Sequence, residues 1–218
     1  MTHRSHSGHY GIVNSESGYQ NLQRFLFGDL RVSATLEFRE LLLPKAVQEQ
    51  KDRGHKVRGS YYIDATARVR GAATYTLNER RFDQESAILK TYDELIGAGK
   101  AVYLFSGYLS RAAITRGTAL TFGLDLAVRV PQFEIDNRFW FDDYVEGFLF
   151  SESYTFAVRD GTVRYGSARE NGHGVATRSL PIKDLGHGRR EVRVPIGTGA
   201  RVRPGLSAEL VLRVDPWR

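Results

Sequence analysis

Cysteine is absent from this chain of 218 residues. Its absence excludes a disulfide framework, a thiolate metal site and a thiol nucleophile. Long apolar runs are also lacking, because no stretch reaches the roughly 18 apolar residues that a membrane-spanning helix needs. The residues from Met1 to Ser5 contain no apolar segment of the kind found in a secretory signal. We therefore expect a soluble protein without a transmembrane segment, either cytoplasmic or exported.

Lysine is scarce and contributes only six of the 31 basic residues. The net charge is +6, and the excess lies in residues 159–218, which hold 12 Lys or Arg against six Asp or Glu. A basic surface can attract anionic lipid, polyphosphate or nucleic acid. Arginines interspersed along the outer faces of strands are usually solvated, however, so we expect no nucleic-acid partner.

The overall composition is that of a folded globular protein. Hydrophobic residues make up 41% of the chain and charged residues 26%, far from the low hydrophobicity and high charge of disordered segments. The length suits one large β domain, or one domain with a small appendage.

One amphipathic helix is predicted near the start of the chain. Ser17 and Gln20 have the spacing of a capping box, apolar residues then recur at helical spacing as far as Leu26, and Gly28 is a suitable C-cap. The apolar residues of this helix are Tyr19, Leu22, Phe25 and Leu26.

From Leu30 onward the hydrophobic period changes to two, which is typical of strands with one buried face. Repeated short strands with glycine-rich connections predict a mainly β fold, an antiparallel β-sandwich of about nine strands. The pair Asp160-Gly161 suits a two-residue type I′ turn, which would join the strands on either side into a hairpin. The predicted strands cover residues 30–39, 61–70, 74–80, 101–109, 119–135, 147–159, 162–167, 191–196 and 206–214.

Two segments interrupt this pattern. The polar, charge-dense segment from Pro44 to Ser60 predicts a long exposed loop. The segment from Glu85 to Ile96 fits either a helix or an edge strand, because its apolar residues satisfy both spacings.

Residues 8–15 read Gly-His-Tyr-Gly-Ile-Val-Asn-Ser, and the predicted helix that follows ends in Arg-Phe-Leu-Phe-Gly. This stretch resembles the end of an α/β-hydrolase of the lipase or esterase type, where a loop carries the last triad residue and the closing helix follows. The resemblance implies that His9 is catalytic and would take the proton from a nucleophilic Ser and return it to the leaving group. The family's triad order places the nucleophile and the acid before the His, and this sequence contains no GxSxG motif.

The resemblance divides the chain into two parts. Residues 1–28 would be the C-terminal remnant of a hydrolase domain, and residues 29–218 a β-sandwich domain. The whole would be the C-terminal part of a serine ester hydrolase acting on a lipid or another ester. We expect this polypeptide to be inactive alone, because it offers no counterpart of the nucleophile or the acid. No cofactor is implied.

The apolar face of the helix requires a partner. The missing hydrolase domain would supply one, since the closing helix of such a domain packs on a parallel sheet. Alone, the chain is expected to self-associate through this helix. The alternative is a stand-alone β-sandwich that serves as a binding or interaction module without catalytic activity, on which the helix docks.

His3, His6 and His9 have a spacing that could hold zinc. No carboxylate precedes Glu16 to orient the imidazoles, so a solvated terminus is favoured and no metal site is predicted.

Aromatic residues are concentrated between positions 133 and 150 and alternate with acids. They could form a carbohydrate platform or a lipid-facing edge, or fill the space between two sheets. We expect Phe148 and Phe150 to lie in the core, whereas Trp140 and Phe141 fit either role. The aromatic residues are Phe133, Phe139, Trp140, Phe141, Tyr144, Phe148 and Phe150.

Overall fold

The computed structural model describes residues 16–71, 76–96, 100–129, 133–136, 138–140, 147–159, 162–168, 178–199 and 202–218. These residues form three α-helices, two short 3-10 helices and fourteen strands. The helices are α1 (Glu16–Phe27), α2 (Lys45–Asp52) and α3 (Tyr92–Leu95), and the 3-10 helices are Phe82–Gln84 and Arg111–Ala113. The strands are β1 (Leu30–Leu42), β2 (Val57–Arg70), β3 (Thr76–Arg80), β4 (Ile88–Thr91), β5 (Val102–Leu109), β6 (Leu120–Arg129), β7 (Phe133–Ile135), β8 (Arg138–Trp140), β9 (Phe148–Arg159), β10 (Thr162–Ser167), β11 (Arg178–Ser179), β12 (Ile182–Asp184), β13 (Arg190–Gly197) and β14 (Gly205–Pro216).

The strands form two antiparallel sheets, so the predicted mainly β sandwich is confirmed. Sheet A has five strands in the order β12-β13-β14-β1-β5. Sheet B has nine, in the order β11-β10-β9-β6-β2-β7-β8, with β3 and β4 also paired to the long strand β2. The described residues contain more strands than the nine or so that the sequence predicts. The reason is that several strands of two to four residues are too short to show a hydrophobic period.

A single core lies between the two sheets. Alternate residues of β1, among them Val32, Ala34 and Leu36, are buried on one face and meet the buried face of sheet B. Phe105 of sheet A and Phe122 of sheet B contact edge to face, with ring centroids 6.4 Å apart. The alternation that predicted β1 therefore reflects burial of one face against a second sheet.

The segment from Pro44 to Ser60 is not the long exposed loop that its polarity suggested. It contains α2, whose Val47 is buried, and the first residues of β2, which begins at Val57. Pro44 precedes a run of good helix formers, and one buried valine is enough to anchor two helical turns.

The ambiguous segment from Glu85 to Ile96 contains both of the structures considered. It forms the edge strand β4, which pairs with β2, and then the short helix α3. Thr91 and Glu94 make a capping box at the start of this helix. Hydrogen bonds from the Thr91 backbone and from Lys90 lower the pKa of Glu94 to about 2.

The predicted strand over residues 119–135 is two strands, β6 and β7, with residues 130–132 outside the described part. The Asp160-Gly161 turn also lies outside it. Arg159 and Thr162 on either side are paired across β9 and β10, as a hairpin requires. Among the described residues, no helix is long and apolar enough to span a membrane.

Candidate functional site

Helix α1 packs on the sandwich with polar residues. Asn21 and Arg24 are only 7% and 5% exposed. The Asn21 side-chain amide donates to the Thr76 carbonyl oxygen of β3 at 3.2 Å. The Arg24 guanidinium donates to the backbone and side-chain oxygens of Gln20, both at 2.8 Å. Gln20 is thus engaged inside the helix, which begins at Glu16 rather than at the predicted Ser17.

The C-terminal end of α1 is fixed by an aromatic cluster. Phe25 contacts Tyr108 of β5 at 5.3 Å and Trp217 at 5.6 Å between ring centroids. The Trp217 indole nitrogen donates to the Phe25 carbonyl oxygen at 2.7 Å. Gly28 ends the helix as predicted, and its nitrogen donates to the Arg24 carbonyl oxygen at 2.7 Å. These contacts make α1 a fixed part of the surface at this edge of sheet A.

The opposite face of α1 is apolar and exposed. Tyr19, Leu22 and Leu26 lie three and four residues apart, which places them on one face. Asn21, Arg24 and Gly28 repeat the same spacing on the other face. Tyr19 is 58% exposed, Leu22 56% and Leu26 37%. We call Tyr19, Leu22 and Leu26 the outer stripe. The sequence placed Phe25 in this face too, but the structure places it in the cluster with Trp217.

The predicted catalytic residue His9 lies outside the described residues, as do His3, His6 and His173. His55 has its Nδ1 2.7 Å from a carboxylate oxygen of Asp136. No group of three or more potential metal ligands occurs within the described part of the chain.

The aromatic segment is divided between the core and the surface. Phe133 and Phe150 are buried, as expected for a core role. The prediction for Phe148 is wrong, because this side chain is 53% exposed. The cause is a register shift: Val128 of β6 pairs with Phe150 and Arg129 with Phe148, so Leu149 is an extra residue in β9. Such a bulge breaks the alternation of faces.

Trp140 is the last residue of β8, where its backbone pairs with that of Phe133. Phe139 lies in the same strand. Phe141 and Tyr144 lie outside the described residues.

Phe148 lies at one end of a groove on the outer face of sheet B. The groove has a volume of about 420 Å³ and crosses β2, β6 and β9. Its hydroxyl groups come from Thr66, Ser151 and Ser153, and the Arg129 guanidinium lies 4.0 Å from the centroid of the Phe148 ring. The ion pairs in the groove are Arg129 with Asp64 at 3.3 Å, Arg68 with Asp125 at 3.9 Å and Arg81 with Asp83 at 2.7 Å.

The outer face of sheet A carries a network of charges centred on Arg193. This guanidinium lies 2.8 Å from Glu37, 2.9 Å from Glu209 and 3.0 Å from Glu191. Glu191 is 3% exposed and also accepts a hydrogen bond from Arg213 at 3.0 Å. Burial acts to raise the pKa of Glu191, but the hydrogen bonds from Arg213 and Arg193 outweigh it and lower the pKa. The network is saturated with internal partners, which fits a structural role.

These features arise from residues far apart in the sequence. The pair of Arg129 and Asp64 spans 65 positions, and Trp217 meets Phe25 across 192. Only the pairing of the strands brings these residues together, and a single sequence does not specify that pairing. The outer stripe, by contrast, was visible in the helical periodicity.

Comparison with known proteins identified no relative: no protein-family model, no curated protein and no solved structure matches the chain.

Proposed function

We propose that this chain is the C-terminal part of a serine ester hydrolase of the lipase or esterase type. In this proposal α1 is the closing helix of the hydrolase domain, and the β-sandwich is an accessory domain attached to it. The observation that carries the proposal is the two-sided character of α1. One face is held on the sandwich through Asn21 and Phe25, with Arg24 buried beside them, while the other presents an apolar stripe to solvent.

The energetics of the outer stripe support a second partner. Full burial of a large apolar side chain is worth roughly 1.5–3 kcal/mol, and three such side chains remain partly in water on one short helix. A closing helix packs its apolar face on the parallel sheet of a hydrolase domain. In the proposed enzyme, the apolar face of α1 would pack on the hydrolase sheet, and its other face would stay on the sandwich.

His9 would have the chemical role. Six residues separate it from the start of α1. In the complete enzyme its imidazole would accept the proton of the nucleophilic Ser and then protonate the leaving alkoxide. The nucleophile and an oxyanion hole supply most of the acceleration and would come from the hydrolase domain.

The experiment uses the native protein in the cells that make it. A fluorophosphonate probe, which labels activated serine nucleophiles, is added to an extract, and an antibody against the sandwich isolates the species that carries it. We expect a labelled species with a mass above the 24.6 kDa of this chain. An unlabelled species of 24.6 kDa would contradict the proposal.

A second experiment uses the purified chain. Wild type, His9→Ala and a matched control, His187→Ala, should hydrolyse p-nitrophenyl butyrate at the same low rate. A selective loss in His9→Ala would reveal a nucleophile within this chain, and the proposed division of the catalytic groups would be wrong.

The groove on sheet B favours a second function, that of a binding module for a neutral polyol such as an oligosaccharide. An exposed aromatic ring beside hydroxyl groups offers apolar contact and hydrogen bonds, and the paired charges of the groove favour an uncharged ligand. In gels that contain soluble polysaccharide, the migration of Phe148→Ala should then be retarded less than the migration of wild type. Phe27→Ala, which removes an exposed ring elsewhere, is the control. Equal migration of all three proteins with and without polysaccharide would exclude this function.

A further inference from the structure

A second concave site lies at one end of the sandwich, where strands of both sheets terminate. The pocket has a volume of about 250 Å³. It lies between the start of β1 and the end of β14 in sheet A and the start of β6 and the end of β9 in sheet B. It is separate from the outer stripe and from the groove on sheet B.

Five aliphatic residues contribute to the inner lining of this pocket. Leu30 and Val214 line it from sheet A, and Leu120, Val158 and Val163 from sheet B. Four of these five residues are buried members of the core. The pocket therefore adjoins the apolar core, and each of these four side chains exposes only a few per cent of its surface.

The rim of the pocket is basic. Arg111, Arg159, Arg190 and Arg218 line it, together with one carboxylate, that of Asp29. The Arg111 guanidinium lies 3.6 Å from a carboxylate oxygen of Asp29, and Arg159 and Arg190 also interact within the chain. The attraction for an anion therefore comes from the combined field of the four guanidinium groups, which exceeds that of the Asp29 carboxylate. Guanidinium groups bind carboxylates with two parallel hydrogen bonds and suit such a rim.

The walls of the pocket are held in place before any ligand binds. The backbone nitrogen of Arg111 donates to Asp29 Oδ2 at 2.6 Å, and the backbone nitrogen of Trp217 donates to the Asp29 carbonyl oxygen at 2.9 Å. On the far side, Gly188 has a φ of +73°. A Cβ at this position would lie 2.9 Å from Pro216 Cγ, so a side chain there would have to displace Pro216. A preformed site lowers the entropic cost of binding.

We infer that this pocket binds a small amphiphilic carboxylate, with its alkyl chain on the aliphatic residues and its carboxylate at the arginine rim. The volume is below the roughly 300–1,000 Å³ of pockets for drug-sized ligands, so the alkyl chain is short. The inference does not depend on the proposed hydrolase function, because every lining residue belongs to the segment from Asp29 to Arg218.

The test is isothermal titration calorimetry with octanoate as the probe. Two comparison ligands separate the contributions: octanol has the alkyl chain without the charge, and acetate has the charge without the chain. We expect octanoate to bind more tightly than either by at least about tenfold, because it alone satisfies both halves of the pocket. Its affinity should fall as salt is added.

Variants locate the site. Arg111→Gln combined with Arg218→Gln should weaken octanoate binding by roughly tenfold, since two charged partners are lost. Val163→Trp should block the pocket and abolish binding. Arg53→Gln, an exposed arginine in the turn after α2, is the matched control and should bind like wild type. Circular dichroism checks that each variant is folded, and the rim variant carries the test if Val163→Trp does not fold.

Three results would overturn the inference. The first is that wild type binds no octanoate. The second is that acetate binds as tightly as octanoate, which would leave the aliphatic residues unused. The third is that the rim variant binds octanoate as tightly as wild type does. Each differs from a failure of the hydrolase proposal, which concerns the serine nucleophile and the outer stripe.

Discussion

Helices α1 and α2 lie on the same sandwich and present opposite faces to it. Helix α2 turns its one buried apolar residue, Val47, toward the core, and Lys51 lies 4.1 Å from the centroid of the Tyr92 ring. Helix α1 differs: it contacts the sandwich through Phe25 and buries the polar residues Asn21 and Arg24, while an apolar stripe is exposed. A helix that serves only the sandwich behaves like α2. Helix α1 therefore leaves an apolar face in solvent, which α2 does not.

The largest effect in this comparison is expected at Val47. Val47→Asp should destabilise the protein by about 3 kcal/mol, because a carboxylate would be buried without a partner. Gln50→Asp on the same helix is the control and should change the free energy of unfolding by less than about 0.5 kcal/mol. Urea unfolding followed by circular dichroism measures both. A mild effect of Val47→Asp would mean that α2 is not anchored through this residue.

The next effect concerns the attachment of α1. Phe25→Ala should cost about 1–2 kcal/mol, less than a fully buried Phe→Ala substitution, because the ring is partly exposed while it contacts Tyr108 and Trp217. The same variant should raise the exposure of Trp217, which a red shift of tryptophan fluorescence would report. An unchanged unfolding curve would show that the Phe25 side chain contributes nothing to the attachment of α1.

Acid should weaken the sandwich through its buried carboxylate. The folded-state pKa of Glu191 is lowered from an ordinary value of 4.5 by Arg213 and Arg193 against the opposing effect of burial. A lowered pKa contributes stability above pH 4.5 that is lost as the pH falls through the folded-state value. Wild type should therefore lose more stability between pH 5 and pH 3 than Glu191→Gln, which cannot titrate. Parallel losses in thermal unfolding would show that this group does not contribute.

The smallest effect on stability is expected on the outer stripe. Leu22→Asp should change the free energy of unfolding by less than about 0.5 kcal/mol, because the side chain is already exposed. Asn21→Asp, one position away, should cost about 2 kcal/mol, since it removes the donor to Thr76 at a buried position. Equal effects at the two positions would mean that α1 does not have two distinct faces.

The sequence predicted those elements whose residues follow one period over many positions. The alternation in β1 and the helical spacing of α1 were sufficient to place both, with boundaries within one to three residues. Helix α2 was missed because Val47 alone supplies its apolar contact, so no period could appear. The exposure of Phe148 was missed because the bulge at Leu149 depends on the pairing with β6.

The surfaces of the molecule were only partly predictable. The outer stripe follows from the sequence of α1 alone, whereas the docking of α1 through Asn21 depends on the position of β3. The excess of arginine in the last 60 residues was visible in the sequence. That three of these arginines meet Arg111 at one pocket follows from the antiparallel arrangement, which brings the ends of distant strands together.

Light scattering on the purified chain tests most directly whether the outer stripe is an interface. Multi-angle light scattering of wild type should show self-association that increases with concentration, because the apolar side chains of the stripe are exposed. Leu22→Asp combined with Leu26→Asp should be monomeric and equally folded, while Val202→Asp, which alters an exposed apolar residue elsewhere, should behave like wild type. A wild-type chain that remains monomeric at every concentration would contradict the account.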